Sequence, residues 1–265
     1  MLPQLNGATR LYVIVGDPIE QVKAPGGVTA AFQARGHDGV LVPVHVSPVD
    51  LPSFMSAAEH WRNLDGLIVT VPHKFACLAH CATLSARART VGAVNIMRRR
   101  PDGSWHGDMI DGLGFVAAAR ARGFDPAGRR ALLIGAGGAG SAIGEALLTS
   151  GVRELAIYDA DTSRRDALLG RLAAVGAGRC VIGSPNPAGF DFVGNATPAG
   201  MRADDALPVD LASLAPTTFV ACVVTVPAVT PLIAAARQHG CRTSTGIDMY
   251  QASERTMVDF FLDAG

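Results

Sequence analysis

Short runs of apolar residues alternate with longer stretches of helical spacing along most of the chain. In the first part of the sequence the apolar runs cover residues 11–16, 40–46 and 64–71, and helical stretches separate them. This alternation is typical of a mostly parallel sheet that helices cover on both faces. The chain is therefore predicted to begin with an α/β unit.

A hairpin is predicted next. The segments AVNIMRRR and SWHGDM flank Pro101-Asp102-Gly103, which is typical of a tight turn. Two antiparallel strands here make the first sheet mixed, although it stays mostly parallel.

The alternation of strand and helix restarts near residue 131. Ala- and Leu-rich helical stretches separate further short apolar strands, as in a doubly wound Rossmann domain that binds a dinucleotide. These strands are predicted at 131–135, 154–159, 179–183, 190–197 and 219–224. The last stretch, SERTMVDFFLDAG, has Met257, Phe260 and Phe261 at helical spacing and is predicted to form a helix that returns to the first domain.

The predicted domains are residues 1–108 plus 245–265 and residues 109–244. At 265 residues, with 49% apolar and 17% charged residues, the chain can bury a substantial core. Basic and acidic residues number 23 each, so no global field attracts nucleic acid or an anionic membrane. Any anion must be bound locally.

The cysteines and the amino terminus narrow the class further. Five cysteines, an odd number without metal-ligand spacing, indicate neither a disulfide framework nor a metal site. No apolar run reaches the ~20 residues that span a bilayer, and no basic leader precedes an apolar stretch. We therefore expect a cytoplasmic protein without a membrane partner.

A glycine-rich loop follows the predicted strand at 131–135. Gly135, Gly137 and Gly140 fit the pattern G-x-G-x-x-G, and a helical pattern begins at Ser141. Such a loop gives a tight turn and lets a dinucleotide diphosphate approach the backbone at a helix amino terminus. The predicted cofactor loop comprises Gly135, Gly137, Gly138, Ala139 and Gly140.

An acidic residue indicates which dinucleotide binds. Asp159 ends the next predicted strand, 24 residues after Gly135. A carboxylate there accepts hydrogen bonds from the ribose hydroxyls and repels a 2′-phosphate, so we expect NAD, with NADP less favoured. Arg164 and Arg165 lie close enough to reach a phosphate, but we interpret them as solvent-facing helix residues.

Three separated segments carry a family resemblance. Residues 70–74 (TVPHK), 92–95 (GAVN) and 107–112 (GDMIDG) resemble the shikimate dehydrogenase motifs N-V-T-x-P-x-K, G-A-V-N-T and N-T-D-G-x-G-F, in the same order. Residues 16–19 (GDPI) resemble the opening G-x-P-I of that family. Later matches are NAT at 195–197 with Gly200-Met201, Thr230-Pro231-Leu232, and GIDM at 246–249.

The resemblance implies a role for each matching residue. Lys74 and Asp111 become a catalytic pair, and Thr70 and Asn95 bind hydroxyls of a small ring polyol carboxylate. On the cofactor side it implies Asn195, Thr197, Gly246 and Met249. The implied process is aromatic amino acid biosynthesis.

Alcohol oxidation needs an acid or base beside the hydroxyl. Lysine is ordinarily protonated at neutral pH, so the sequence leaves open whether Lys74 or Asp111 moves the proton. The alternative is that the two residues form a structural ion pair.

Neighbouring residues are given structural roles. If residues 71–74 are extended, His73 faces away from Lys74, so we predict that it is structural. Cys77 and Cys81, four residues apart, are predicted to be packing thiols.

The chain departs from the family where the substrate carboxylate is expected to bind. Two serines of the family motif H-S-x-S-P are replaced by Val22 and Ala24, which offer no hydroxyl. Lys23 and then Gln21 are the candidate replacement donors. Further changes are Ile110 for a threonine, Thr225 for a tyrosine, and Ser253 for a glutamine, with Gln251 two residues early.

These changes leave alternatives open. The resemblance implies a dehydrogenase for a shikimate- or quinate-like ring. One alternative is a dehydrogenase for a different small polyol or an aminoshikimate-type ring, and another is a non-catalytic NAD-binding sensor. A methylene-tetrahydrofolate dehydrogenase shares the two-domain plan, but the DMIDG segment and the NAT motif argue against it. We expect a monomer or a homodimer.

Overall fold

The computed structural model of the chain describes residues 5–202 and 204–262. It divides into two compact units, Met1–Ile110 with Ser253–Gly265 and Asp111–Ala252. Each unit contains one six-stranded sheet, which confirms the predicted α/β class. The predicted domain ranges, 1–108 with 245–265 and 109–244, stay a prediction.

The first unit is built on a mixed sheet. Its strands are β1 (Arg10–Gly16), β2 (Gly39–His45), β3 (Leu64–Val69), β4 (Thr83–Leu84), β5 (Ile96–Arg99) and β6 (Trp105–Asp108), in the spatial order β2-β1-β3-β5-β6-β4. Its helices are α1 (Ala24–Ala34), α2 (Leu51–His60) and α3 (Ala86–Val91), with a 3₁₀ helix at Ala76–His80. The strands β1, β2 and β3 are parallel, whereas β5 is antiparallel to β3 and β6.

The predicted hairpin accounts for the antiparallel part. β5 and β6 are joined by the turn at residues 100–104, where the Asp102 carboxylate accepts a hydrogen bond from the Ser104 backbone at 3.0 Å. The short strand β4 was not predicted, because two residues are too few to show a periodicity.

The carboxyl-terminal helix packs against the first sheet. Rings of Tyr12, Phe32 and Phe261 lie within 4.5–6.1 Å of one another, measured between centroids. Gly66 leaves the space that the Phe261 ring occupies, since a Cβ there would lie 2.3 Å from it. The predicted return of this helix to the first unit is confirmed.

The second unit has a fully parallel sheet. Its strands are β7 (Arg130–Ile134), β8 (Glu154–Tyr158), β9 (Arg179–Ile182), β10 (Phe192–Asn195), β11 (Phe219–Cys222) and β12 (Thr243–Ser244). Its helices are α4 (Asp111–Ala121), α5 (Gly138–Thr149), α6 (Thr162–Leu172) and α7 (Pro231–Gln238), with a 3₁₀ helix at Leu211–Ser213; α8 (Gly246–Leu262) starts here and ends in the first unit.

The strand order is β12-β11-β10-β7-β8-β9. The chain thus winds outward from β7 in one direction and from β10 in the other, so these two strands mark the switch point where such sheets bind ligands. Leu132 and Leu133, adjacent in β7, lie in separate apolar clusters. Adjacent side chains of a strand point to opposite faces, so the two clusters show that both faces of the sheet are buried. This explains the nearly continuous apolar runs of its strands.

One carboxylate joins three strands at the amino-terminal edge of the second sheet. Glu154, the first residue of β8, is buried, and one oxygen accepts from the Arg130 guanidinium at 2.7 and 2.9 Å. The other oxygen accepts from Arg179 Nε at 2.9 Å. Hydrogen bonds from Arg179 and Arg130 hold the pKa of Glu154 below its ordinary value.

We expect Glu154→Gln to lower the free energy of unfolding at neutral pH by about 1 kcal/mol, because the charged hydrogen bonds with Arg130 and Arg179 are weakened. The effect is no larger because Arg179 is largely exposed, and solvent screens its interaction with Glu154. A carboxyl pKa that is lower in the folded state stabilises above the unfolded pKa, and this stabilisation is lost as pH falls through the folded pKa. The difference between wild type and variant should therefore shrink below about pH 4.3. Urea titrations at pH 7 and pH 3.5 measure it. A difference that stays constant with pH would contradict the assignment, and Glu59→Gln at an exposed site is the control.

Within the described residues no helix is long and apolar enough to cross a membrane.

Candidate functional site

The GAVN segment is hydrogen-bonded to both of the other motif segments. The Val69 amide donates to the Asn95 carbonyl at 2.7 Å, and the Asn95 amide donates to the Asp108 carbonyl at 3.0 Å. The Val94 amide donates to the Lys74 carbonyl at 2.9 Å. Segments that are distant in sequence therefore meet at one edge of the first sheet, next to the carboxyl end of β3.

Thr70 is placed by the end of β1. Its amide donates to the Val15 carbonyl at 2.9 Å, and the Asp17 amide donates to the Val71 carbonyl at 2.9 Å. A Cβ on Gly16 would lie only 2.3 Å from Thr70 Cγ2, so the missing side chain of this glycine makes room for the threonine. Gly16 of the GDPI segment therefore allows Thr70 to lie close to the end of β1.

Asn95 is held in one orientation. Its side chain is 2% exposed, and its Oδ1 accepts a hydrogen bond from the Ile110 amide at 2.8 Å. The bond fixes which end of the side-chain amide faces Ile110. It also ties Asn95 to the residue immediately before Asp111.

The segment that leads to Asp111 depends on a buried acid that sequence reasoning missed. The Asp108 carboxylate accepts from Arg87 at 2.8 and 2.5 Å, from the Ser85 hydroxyl, and from the Met109 amide at 2.7 Å. Asp108 is buried, so these bonds compensate for its desolvation. The available signal was the position of Asp108, an acidic residue at the end of β6 and three residues before Asp111.

Ile110, which replaces a threonine of the family motif, is a core residue. Its side chain and that of Met109 are fully buried. Asp111 follows directly and begins α4 with its side chain largely buried.

His73 is structural, but not for the reason that we predicted. Residues 71–75 form turns rather than an extended segment, so the alternation argument is wrong. His73 is 1% exposed, and its Nε2 lies 2.7 Å from the Val46 carbonyl oxygen. Its ring therefore packs in the first unit and joins the segment after β3 to the residue after β2.

The segment before α1, where Val22 and Ala24 replace two serines of the family motif, offers few hydrogen-bond donors. Val22 is half-buried and Ala24 is buried, whereas Lys23 is exposed at the amino terminus of the helix. Gln21 donates its side-chain amide to the Pro18 carbonyl at 2.9 Å, so one candidate donor already bonds the chain's own backbone. Lys23 is left as the stronger candidate for a substrate carboxylate.

The glycine-rich loop of the second unit fits a dinucleotide diphosphate. Gly135 has φ +103°, and a Cβ there would lie 2.8 Å from Thr197 Cγ2. At Gly137 a Cβ would meet no atom within 4 Å, so the backbone is open on that side. The open glycine directly precedes α5, whose first N–H groups have no partner within the helix and attract an anion.

Asp159 is positioned between that loop and α6. Its Oδ2 accepts from the Ala136 amide at 2.7 Å, and its Oδ1 accepts from the Asp161 amide at 2.9 Å. Arg164 lies 3.7 Å from Asp161, and Arg165 Nε lies 2.8 Å from Asp166. The nearby arginines are thus already paired with carboxylates.

The NAT segment is a self-supporting loop after β10. The Asn195 side chain is 0% exposed, and its Oδ1 accepts from the Thr197 amide at 3.1 Å and hydroxyl at 2.7 Å. Its Nδ2 donates to the Ala199 carbonyl at 3.1 Å. Asn195 therefore shapes the loop that presents Thr197 beside Gly135.

The GIDM segment is fixed by a second residue that sequence reasoning missed. Asp248 accepts from the Thr245 amide at 2.8 Å and hydroxyl at 2.9 Å, and from Arg122 at 2.6 Å. Burial raises the pKa of Asp248, but these hydrogen bonds outweigh it and hold the pKa below its ordinary value. Gly246 lies where a Cβ would be 2.3 Å from the Val224 carbonyl oxygen, and Met249 packs against the core.

Cys77 and Cys81 are packing thiols, as predicted. Burial raises the pKa of Cys77 and of Cys81 to about 12, so both thiols are protonated at neutral pH. In the part of the chain that the structure describes, no group of three or more His, Cys, Asp or Glu side chains is arranged to hold a metal ion.

Comparison with known proteins gives consistent matches. The family model described as the shikimate dehydrogenase substrate binding domain matches residues 14–97. A Rubrobacter xylanophilus protein named shikimate dehydrogenase (NADP(+)) is 37% identical over 261 residues, covering 96% of this chain and 91% of that protein.

Two solved structures share the fold. Quinate dehydrogenase from Corynebacterium glutamicum in complex with NAD is 29% identical, with a TM-score of 0.85, and the match covers 96% of this chain and 94% of that chain. The ligand-free 5-ketofructose reductase of Gluconobacter sp. strain CHM43 is 28% identical, with a TM-score of 0.83 and coverage of 96% and 93%.

Proposed function

Because this chain belongs to the shikimate dehydrogenase family, we propose that it interconverts a ring hydroxyl and a ketone on a shikimate- or quinate-like substrate with a nicotinamide cofactor. The observation that carries this proposal is the hydrogen-bonded meeting of the segments that hold Thr70, Lys74 and Asn95. The side chains of Thr70, Asn95 and Lys74 can each form a hydrogen bond with a hydroxyl group, so together they suit a polyol substrate.

Lys74 and Asp111 are the proposed catalytic pair. When bound, the cofactor supplies the hydride acceptor for oxidation and the donor for reduction. The chain's part is to hold the hydroxyl through Thr70 and Asn95 and to move its proton within the pair. The fixed amide of Asn95 preorganises one of these contacts, because its orientation does not need to be set when substrate binds.

The proposed cofactor contacts come from three loops of the second unit. The open backbone at Gly137 and the amino terminus of α5 suit a diphosphate, and the NAT loop and the GIDM segment complete the site. The residues assigned to this role are Gly135, Gly137, Gly138, Ala139, Gly140, Asp159, Asn195, Thr197, Gly246 and Met249.

We propose NAD as the preferred cofactor. The Asp159 carboxylate at the end of β8 supports this choice, since a negative charge disfavours a 2′-phosphate and suits free ribose hydroxyls. The pairing of Arg164 and Arg165 with acids points the same way. The Rubrobacter relative is named for NADP(+), whereas the Corynebacterium enzyme is in complex with NAD, so the preference needs a direct measurement.

Replacing Asp159 with serine should move cofactor preference toward NADP. We expect the ratio of kcat/KM for NAD to that for NADP to fall at least about tenfold, since one charge repulsion is removed and one ribose contact is lost. Loosening of the glycine-rich loop would affect both cofactors equally and cancel in the ratio. Asp125→Ser is the control, because Asp125 is exposed between α4 and β7 and serine can still accept the hydrogen bond from the Ala127 amide. An unchanged ratio would remove the support that Asp159 gives to NAD.

The direct test of function is a matrix of steady-state rates. Purified protein is assayed with shikimate and with quinate, each with NAD and with NADP. Turnover in at least one combination is the expected result. If none turns over although NAD binds, the shikimate- or quinate-like proposal fails.

A different small polyol, or an aminoshikimate-type ring, is the second candidate. The apolar Val22 and Ala24 favour it, since an unpaired carboxylate is costly to desolvate. The similarity to a protein named 5-ketofructose reductase adds support, because a keto sugar carries no carboxylate. A wider substrate panel that includes 5-ketofructose with reduced cofactor distinguishes it from the first candidate.

A further inference from the structure

A histidine and an aspartate form a pair at the carboxyl edge of the first sheet. His45 Nε2 lies 2.7 Å from Asp17 Oδ1, and the side chains are 54% and 35% exposed. Among the described residues, no other side chain bonds either partner. The two side chains thus orient each other and remain accessible to solvent, unlike the buried His73.

The pair lies on the same side of the sheet as Thr70. His45 is in register with Gly16 on the neighbouring parallel strand, so the side chain of His45 and the missing one of Gly16 belong to the same face. Thr70 Cγ2 occupies the space above Gly16 on that same face and approaches it from the β3 side. Thr70 and His45 therefore flank Gly16 on one face.

The spacing suits a substituted six-membered ring. The strands β2, β1 and β3 are consecutive in the sheet, so the backbones at His45 and Thr70 are separated by two strand spacings, roughly 10 Å. A ring with a hydroxyl at each end, plus one hydrogen bond of about 2.8 Å on either side, fits such a span.

The Asp17 carboxylate sets the chemistry that His45 offers. A carboxylate accepts the Nε2 proton of a neutral imidazole, which leaves Nδ1 as an acceptor. Nδ1 then suits the proton of a hydroxyl rather than a carboxylate. The apolar Val22 and Ala24 nearby in the chain provide no competing hydroxyl donors.

We propose that His45, positioned by Asp17, accepts a hydrogen bond from a substrate hydroxyl on the ring carbon far from the reacting one. This inference rests on the proposed function and names its substrate class: saturated polyols with a hydroxyl at that end. Quinate has a hydroxyl on its carboxylate-bearing carbon, and myo-inositol has one on every carbon, whereas shikimate has none on the corresponding carbon. His45 therefore selects the first two over shikimate.

The test compares His45→Phe with wild type by calorimetric binding of quinate, myo-inositol and shikimate to the full chain with NAD present. We expect the variant to bind quinate and myo-inositol roughly tenfold more weakly, as for one lost hydrogen bond, and shikimate within about twofold of wild type. Where turnover is measurable, KM should rise for quinate while kcat changes little. His60→Phe, at the exposed end of α2, is the matched control.

Asp17→Ala tests the positioning role. We expect it to weaken quinate binding by a smaller factor than His45→Phe, and to have no further effect in the double variant, because both changes remove the same hydrogen bond. Melting temperatures of the unliganded variants show that each remains folded.

Three results would overturn the inference: equal losses for quinate and shikimate, no loss for any probe, or no binding of quinate and myo-inositol to wild type. Selective binding without turnover would support the inference and contradict the proposed catalytic function, so the two failures are distinguishable.

Discussion

Replacing Lys74 with alanine is expected to lower kcat by about a thousandfold, within the range that a positioned acid or base contributes. The reason is that hydride departure from a secondary alcohol leaves a protonated carbonyl unless the hydroxyl proton moves too. Cofactor affinity should stay within a few-fold of wild type, since the proposed cofactor contacts lie in other loops. Steady-state rates and fluorescence titration with NAD measure the two quantities.

The chain provides a matched control for this variant. Its only two lysines are Lys23 and Lys74. Lys23 is exposed before α1 and is proposed to meet a substrate carboxylate, so Lys23→Ala should raise KM for quinate with little change in kcat. A kcat that is equally insensitive to both substitutions would exclude Lys74 from the proton transfer. NAD binding without turnover in the wild type would instead favour the sensor.

Replacing Gly112 with alanine is expected to destabilise the protein by about 3 kcal/mol, because the interior there has no space for a methyl group. A Cβ at Gly112 would lie 2.1 Å from the Ala142 carbonyl oxygen and 2.7 Å from its carbon, both backbone atoms of α5. Relief requires α4 and α5 to separate. The melting temperature should fall by roughly 6–10 °C.

The control for this variant has the opposite expected sign. Gly170 lies in α6, and a Cβ there would meet no atom within 4 Å. Alanine at this position should raise stability by about 0.5–1 kcal/mol through helix propensity and lower entropy of the unfolded chain. A Gly112→Ala variant as stable as Gly170→Ala would show that the two helices pack less tightly than the structure indicates.

The order and type of the main elements could be predicted from local pattern. Buried parallel strands such as β7 and β8 are short apolar runs in the sequence, because helices cover both faces of their sheet. A glycine-rich loop, the helix after it and an acid at the end of the next strand together identified Gly135 and Asp159. The two-residue strands β4 and β12 could not be found, since tertiary pairing rather than periodicity forms them. The turns at residues 71–75 were missed for a similar reason.

The amino-acid sequence alone predicts the α/β class and the family, because motifs keep the residue types that the chemistry needs. For the same reason it identifies four candidate site residues, Lys74, Asp111, Thr70 and Asn95. The contacts that hold these residues in place are visible only in the folded chain. The Arg87–Asp108 and Arg122–Asp248 pairs join residues 21 and 126 positions apart. The His45–Asp17 pair exists because register places two strand ends side by side. Local pattern carries no record of such contacts, since their energy comes from burial and geometry that arise when distant segments meet.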